Sequence, residues 1–403
     1  MTERLVIIGS GMAAARLLEI LAERGSAFAI TVIGAEMQPS YNRILLSSVL
    51  CGDNSEGDLP LLTESWYRQQ GVALITGDPA VNVDPWGRWV TTRSGRCIPW
   101  DKLVFATGSR AHIPDIPGVC AEGVLGFRGL ADLDTIRRRA GAGGPAVVVG
   151  GGLLGLEAAH GLNALGMEVT LVHRQPLLMN RQLDGEAAEL LRELLARRGI
   201  RFALGASPRA VTSDGQRATG VALDDGRCLA AELVLFAAGI DANTELAAAA
   251  GIPCDRAIVA DPLLRTGVDG IYALGECCQI DGRTFGLVAP VWQQAEVLAA
   301  VLDNQPTPGY CHREVATQLK VSGVDLYAAG AMPFPEGAHS LVLRDRQRGI
   351  YRRLVISGNR LVGAILLRDR SAGNWYGELI DSGADISGIR SRIMFGPEFC
   401  RAG

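Results

Sequence analysis

Two short glycine-bearing stretches carry the strongest chemical signal in the chain. Gly9-Ser10-Gly11-Met12-Ala13-Ala14 fits G-x-G-x-x-A, and Gly150-Gly151-Gly152-Leu153-Leu154-Gly155 fits G-x-G-x-x-G. In such a stretch the first glycine permits a tight turn. The second lets backbone approach a pyrophosphate, and the third small residue lets a helix pack closely on a strand. The helix opening there, through Met12 and Ala13 or Leu153 and Leu154, offers free N–H groups and a partial positive charge to phosphate. Each stretch is a candidate dinucleotide site.

The elements needed to position these loops are legible around them. Residues 4–9 read R-L-V-I-I-G, a short apolar run typical of a buried parallel strand. An alanine-rich helix pattern occupies 13–23, with Gly25 as a stop. The next strand covers 29–34, and Glu36 stands at about the distance expected of the acid that accepts ribose hydroxyls. The second loop repeats the order. Residues 145–150 read P-A-V-V-V-G, a helix runs to about residue 165, and a strand over 167–172 ends at His173-Arg174. An acid at such a strand end favours NAD, and a basic group suits the 2′-phosphate of NADP. His173 and Arg174 are candidate contacts that leave both dinucleotides open.

Three further apolar strands end in small or acidic residues. Residues 103–108 end in Ala106-Thr107-Gly108, residues 233–239 end at Gly239 before Ile240, and residues 270–276 end in Gly275-Glu276. A carboxylate at the last can meet ribityl hydroxyls, and the following helix can point its N-terminus at a flavin. Two dinucleotide sites in one chain suggest one prosthetic and one exchangeable cofactor.

Composition narrows the class. The chain has 403 residues, 48% hydrophobic and 20% charged, with 50 glycines, which suits large α/β cores with many tight turns. The net charge of −4 comes without a long basic run, so a nucleic-acid partner is not expected. No apolar stretch reaches the roughly 18 residues needed to span a bilayer. The first residues pass at once into a strand pattern without an apolar signal core, so a soluble cytoplasmic protein is expected. The nine cysteines are scattered without C-x-x-C, and the five histidines lack metal-like spacing. No metal is expected.

The order of loops and strands resembles the two-dinucleotide flavoproteins of the pyridine nucleotide–disulfide reductase superfamily. The resemblance implies an α/β fold with two Rossmann-like domains, the NAD domain inserted in the FAD domain, plus a smaller α+β C-terminal domain. Residues 1–115 and 240–310 are then expected to bind FAD, 116–239 NAD(P)H, and 311–403 to form an interface domain, with a homodimer as an open expectation. Where disulfide reductases carry paired cysteines, this chain reads Tyr41-Asn42-Arg43-Ile44-Leu45-Leu46-Ser47-Ser48, which is similar to the ferredoxin, rubredoxin and nitrite reductase group. Three segments sharpen the likeness: Leu178-Met179-Asn180-Arg181-Gln182-Leu183-Asp184, Gly275-Glu276-Cys277 with Gly286-Leu287-Val288-Ala289-Pro290, and Leu319-Lys320-Val321-Ser322-Gly323-Val324-Asp325. They resemble the FAD portion of assimilatory nitrite reductase large subunits and the flavoprotein subunits of NADH-linked nitrate reductases.

That resemblance implies an FAD-dependent NAD(P)H oxidoreductase, NADH being the commoner donor, which feeds a nitrate or nitrite reductase subunit or an iron–sulfur carrier. Hydride passes directly between the two rings, so the protein mainly positions them. Glu157 matches a glutamate near the nicotinamide, Trp292 an aromatic beside the flavin or nicotinamide, and Gly239-Ile240 a loop passing the nicotinamide. Arg43, Ser47 and Val81 complete the expected FAD contacts. Departures are Ala35, which stands where the family places the ribose acid, Ser48 in place of a lysine, and no cysteine cluster for an iron–sulfur segment. Reduction of nitrate or nitrite is therefore expected on a partner. Two other readings are a rubredoxin or ferredoxin reductase, and a flavin-binding regulatory protein that does not turn over.

Overall fold

The computed structural model describes residues 2–312, 317–321, 324–330 and 332–400, the strand Thr317–Val321 by its backbone alone. The chain divides into two compact units. The first comprises Met1–Val49, Asn54–Ala111 and Ile240–Arg313; the second comprises Leu50–Asp53, His112–Gly239 and Glu314–Gly403.

The first unit is organised by a parallel sheet in the order Ile271–Ala273, Lys102–Phe105, Glu3–Ile8, Phe28–Ile33, Ala73–Ile75. Leu5, Val6, Ile7 and Ile8 are all buried, as a strand covered on both faces requires. The helix Met12–Glu23 buries Ala14, Leu17, Leu18 and Leu21, spaced to form one face. The helix Val288–Leu302 packs against it. Register aligns the strand ends that matter, since Ile8 pairs with both Ile33 and Phe105. Ligands of open α/β sheets bind beyond such carboxyl ends. A small antiparallel sheet, Ala80–Asp84, Trp89–Thr92 and Cys97–Pro99, completes this unit together with shorter pairs.

The second unit repeats the plan. Its parallel sheet runs Arg201–Leu204, Glu168–His173, Pro145–Val149, Leu233–Phe236, Val124–Gly126. Val149 pairs with Val172 and Phe236, so three strand ends again align. The helix Leu153–Ala164 buries Leu156, Ala158, Ala159 and Leu162.

The C-terminal part is a five-stranded antiparallel sheet, ordered Thr317–Val321, Val324–Ala329, Arg360–Leu367, Ile350–Ser357, His339–Asp345. The helix Gly373–Ser382 lies on it over a core including Tyr327, Leu354, Leu366 and Tyr376. Of the segment 319–325, Ser322 and Gly323 lie outside the described residues, and Val321 pairs with Val324 in the register. The fold class is therefore α/β, with two Rossmann-like units and a smaller α+β C-terminal part.

Candidate active site

The two glycine loops have the same geometry. Gly9 sits at φ +112°, and a Cβ there would fall 2.1 Å from the Ala106 carbonyl oxygen. Gly150 sits at φ +131°, where a Cβ would fall 2.3 Å from the Ala237 carbonyl oxygen. Each loop is thus pressed against the neighbouring strand's end, which only glycine allows. At the third position a Cβ on Gly155 would meet the Gly150 carbonyl at 2.0 Å, and Ala14 is wholly buried.

The second glycine of each loop behaves oppositely. Gly11 and Gly152 are extended residues preceding the helices Met12–Glu23 and Leu153–Ala164, and neither helix start has a side-chain cap. Nothing stands within 4 Å of a Cβ built on either. Uncapped helix N–H groups beside open space fit a pyrophosphate. Both loops therefore pass the test that a dinucleotide sets. Met12, Ala13, Leu153 and Leu154 form the first turns.

Around the first loop the strand ends interlock. The Thr107 hydroxyl donates to the Asn243 carbonyl at 2.8 Å, and the Asn243 amide returns a bond to the Thr107 carbonyl at 2.8 Å. The Asn243 N–H reaches the Gly108 carbonyl. Ser109 donates to the Glu276 carboxylate at 2.8 Å. Gly275, at φ +87°, has its N–H held by the Gln294 side-chain oxygen at 2.9 Å, and a Cβ on it would stand 3.0 Å from the Ala13 Cβ. The Gly275-Glu276 turn thus lies against the loop helix. The helix that follows this turn is Val288–Leu302, and it does not start at once. A 3-10 turn, Gly275–Cys277, leads into the strand Cys278–Ile280, and the long helix begins only at Val288. Cys278, Gln279 and Ile280 are buried in a parallel pairing with Ile258–Ala260, and that pairing holds the chain extended.

Glu36 and Arg43, expected as separate cofactor contacts, are brought together. Arg43 forms an ion pair with the Glu36 carboxylate, Tyr41 donates to it at 2.7 Å, and the guanidinium lies 4.8 Å over the Tyr41 ring. Ala35 is exposed. Ser47 is buried and donates to the Ile44 carbonyl, while Val81 is exposed at a bulge beside Asn82. Trp292 is exposed on its helix, with the Arg16 guanidinium 6.0 Å over its ring.

In the second unit His173 turns inward. Its Nδ1 accepts the Gly151 N–H at 3.1 Å, and its Nε2 lies 3.4 Å from the Asn180 side-chain oxygen. Burial holds the imidazole below its ordinary range. Arg174 is exposed. Glu157 is half-buried on the loop helix, and its carbonyl faces the Cys51 thiol at 4.0 Å. Burial, then Asp53 and Glu157, pushes that thiol up to about 12. The Gly239 carbonyl accepts the His112 N–H, and in the first unit Ile240 is exposed and opens a strand paired with Ser109–Ala111.

Sequence reasoning missed Gln294 and Asn243. Gln294 is wholly buried, and its side-chain nitrogen has no partner among the described residues. A lone amide on the buried face of an apolar helix was the signal available, because an apolar interior penalises such a group. Asn243 had none, since its partners at Thr107 are remote in sequence. Cys277 and Cys278 are both free, and burial raises both thiols. Among the described residues no cluster of His, Cys, Asp and Glu could hold a metal, and no helix is long and apolar enough to cross a membrane.

Residues 3–297 match the pyridine nucleotide-disulphide oxidoreductase family, and residues 316–384 match the rubredoxin NAD+ reductase C-terminal domain. An NAD(P)H nitrite reductase of Bacillus subtilis is 42% identical over 96% of this chain and 48% of its own length. An assimilatory nitrate reductase electron transfer subunit of the same organism is 39% identical over 91% of the chain and 48% of its own length. The chain spans about half the length of these curated relatives. Among solved structures, a ferredoxin reductase of Rhodopseudomonas palustris is 26% identical with a TM-score of 0.83, covering 98% of this chain and 100% of that one. The chain belongs to the pyridine nucleotide-disulphide oxidoreductase family, as an FAD-dependent NAD(P)H oxidoreductase.

Proposed function

We propose that this chain is the electron-transfer flavoprotein module of an assimilatory nitrate- or nitrite-reducing system. It takes electrons from NAD(P)H and delivers them to a separate reducing centre. The carrying observation is the pair of open, uncapped loops at Gly11 and Gly152, with every cysteine among the described residues free. The two Bacillus relatives named for nitrite and nitrate reduction supply the acceptor class. FAD, when bound, supplies a two-electron acceptor that can release electrons singly to a protein partner.

On this reading residues 1–115 and 240–310 hold FAD and 116–239 the nicotinamide dinucleotide. Gly9, Gly11, Met12, Ala13 and Ala14 seat the FAD pyrophosphate. The Ser109-supported carboxylate of Glu276 accepts ribityl hydroxyls, and Glu36, Arg43, Ser47, Val81 and residues 106–108 line the remainder. Gly150, Gly152, Leu153, Leu154 and Gly155 seat the second pyrophosphate. Glu157 and Gly239 border the nicotinamide, and Trp292 shields the flavin side.

The test is reconstitution. Purified protein should lose its flavin colour with NAD(P)H and then drive nitrate or nitrite loss only when a co-encoded reductase is added. Rapid bleaching without transfer to any such reductase would reject this acceptor. A second reading, a rubredoxin or ferredoxin reductase, is favoured by the match over residues 316–384. Rapid reduction of a rubredoxin or ferredoxin, with none of a nitrate or nitrite reductase, would select it. Flavin that stays yellow under NAD(P)H would select a non-catalytic binder.

A further inference from the structure

The segment Leu178-Met179-Asn180-Arg181-Gln182-Leu183-Asp184 forms a strap over the second glycine loop. The Gly151 carbonyl accepts the Met179 N–H at 2.9 Å, and the Gly151 N–H is held by His173. The loop's middle glycine is therefore engaged on both main-chain groups, its carbonyl by the strap and its N–H by His173 at the end of the strand Glu168–His173. Met179 adopts φ +46°, a conformation a non-glycine residue holds only when its surroundings over-determine it. Here the Met179 carbonyl accepts the N–H groups of Gln182 and Leu183 at 2.8 and 2.9 Å. The turn delivers the chain directly to Asp184.

Asp184 fixes the far end. Its Oδ1 caps the helix Gly185–Ala196 by accepting the Ala187 N–H at 2.8 Å. A serine or asparagine would serve that purpose as well. The second oxygen does what they could not. Oδ2 accepts the Tyr351 hydroxyl at 2.7 Å and the Arg353 guanidinium at 2.8 Å, both from the strand Ile350–Ser357 of the C-terminal sheet. Burial alone would raise this carboxyl, yet the bonds from Ala187, Arg353 and Tyr351 hold it below the usual carboxylate range. Arg353 is itself pinned by Ser340 at 3.0 and 3.1 Å. Close by on the helix, Glu186 pairs with Arg344 of the same sheet. A continuous set of bonds thus joins the C-terminal sheet to the peptide groups of Gly151.

We propose that Asp184 is a positioning residue for the nicotinamide-dinucleotide site: held by Tyr351 and Arg353, it sets the strap and through it the Gly151 loop, so the C-terminal sheet governs NAD(P)H affinity. This rests on the reading of the second loop as the nicotinamide site.

The experiment uses the full-length, FAD-loaded protein and titrates ADP-ribose, which carries the pyrophosphate without the reactive ring. Arg353→Met and Asp184→Asn should each weaken ADP-ribose binding about tenfold, a change of ~1.4 kcal/mol. KM for NAD(P)H should rise by the same factor, with kcat at saturation and FAD content unchanged. Arg353→Lys should recover part of the loss. Tyr351→Phe, which removes one hydroxyl, should give a smaller change of the same kind and serves should the other variants fold poorly. Variants that unfold at lower temperature but bind ADP-ribose as tightly as wild type would overturn the proposal. A wild-type protein that binds no ADP-ribose at all would overturn the nucleotide reading of the second loop as well.

Discussion

The imidazole of His173 accepts the backbone N–H of Gly151 at 3.1 Å, so a side chain at the end of one strand holds the glycine loop at the end of its neighbour. A Cβ on Gly151 would lie 2.6 Å from that ring, which leaves no room for any other residue there.

This contact makes the second site sensitive to pH. Only the neutral ring can accept at Nδ1. Burial pushes the group below its ordinary 6.5, the Asn180 hydrogen bond opposes that shift and Arg174 reinforces it. The folded-state value therefore lies below the unfolded one. The loop's stabilisation is fully present above about pH 6.5 and is lost as pH falls through the lower folded value. ADP-ribose affinity should be flat above neutrality and decline in acid, with the decline absent in His173→Asn. Parallel profiles for the two proteins would sink the idea.

On the proposed reading the open cradles at Gly11 and Gly152 take different cofactors. Gly152→Glu places a carboxylate where a pyrophosphate belongs and should weaken nicotinamide dinucleotide binding by ~100-fold or more, while bound flavin absorbance stays at wild-type level. Gly11→Glu should do the reverse and yield colourless protein. Loss of both cofactors from a folded Gly152→Glu protein would contradict separate sites.

Arg174 bears on the choice of donor. His173 is committed to the loop, and residues 173–183 contain no carboxylate, so on the proposed reading Arg174, exposed and next to the strand end, is the charged group to test against the adenosine ribose. A guanidinium favours a 2′-phosphate. Arg174→Glu should weaken NADPH relative to NADH by about tenfold or more, or ~1.4 kcal/mol. Parallel titrations with both dinucleotides read this directly, and an unchanged ratio would remove Arg174 from donor selection.

The thiols should be bystanders. Reactivity needs thiolate, and burial keeps Cys51, Cys277 and Cys278 protonated at neutral pH. Cys51→Ser should leave the rate of flavin bleaching by NAD(P)H within about twofold of wild type. A large loss, with the protein folded, would reinstate a thiol step.

Gly9 tests the loop geometry itself. Gly9→Ala meets the Ala106 carbonyl and a positive φ together. Backbone strain alone costs about 1–3 kcal/mol. Thermal unfolding should drop measurably and flavin should be lost on gel filtration.

Much of this was written in the sequence because each Rossmann unit is local. Strand, loop, helix and second strand succeed one another within a short span, and their apolar runs end at the glycines. The starts of Met12–Glu23 and Leu153–Ala164 fall beside the glycine patterns that announce them. Sequence could not show which polar groups find each other. Glu36 and Arg43 read as two ligands and form one ion pair, because the turn through Tyr41 folds them together. His173 reads as a cofactor contact, and sequence alone did not show that its ring also accepts the Gly151 N–H. Asp184 reads as part of a family pattern, while its Oδ2 partners lie far downstream in the chain.

The interrupted layout of the first unit has a consequence for biosynthesis. Its edge strand Ile271–Ala273 pairs with Lys102–Phe105, which the ribosome delivers long before it. Until then the growing chain carries an unclosed sheet border, while His112–Gly239 emerges in between as a block able to begin folding first. An unpaired border of that kind invites intermolecular strand addition. Recombinant yield should therefore respond to translation speed and chaperone supply across residues 105–271 more than to any change in the finished protein's stability.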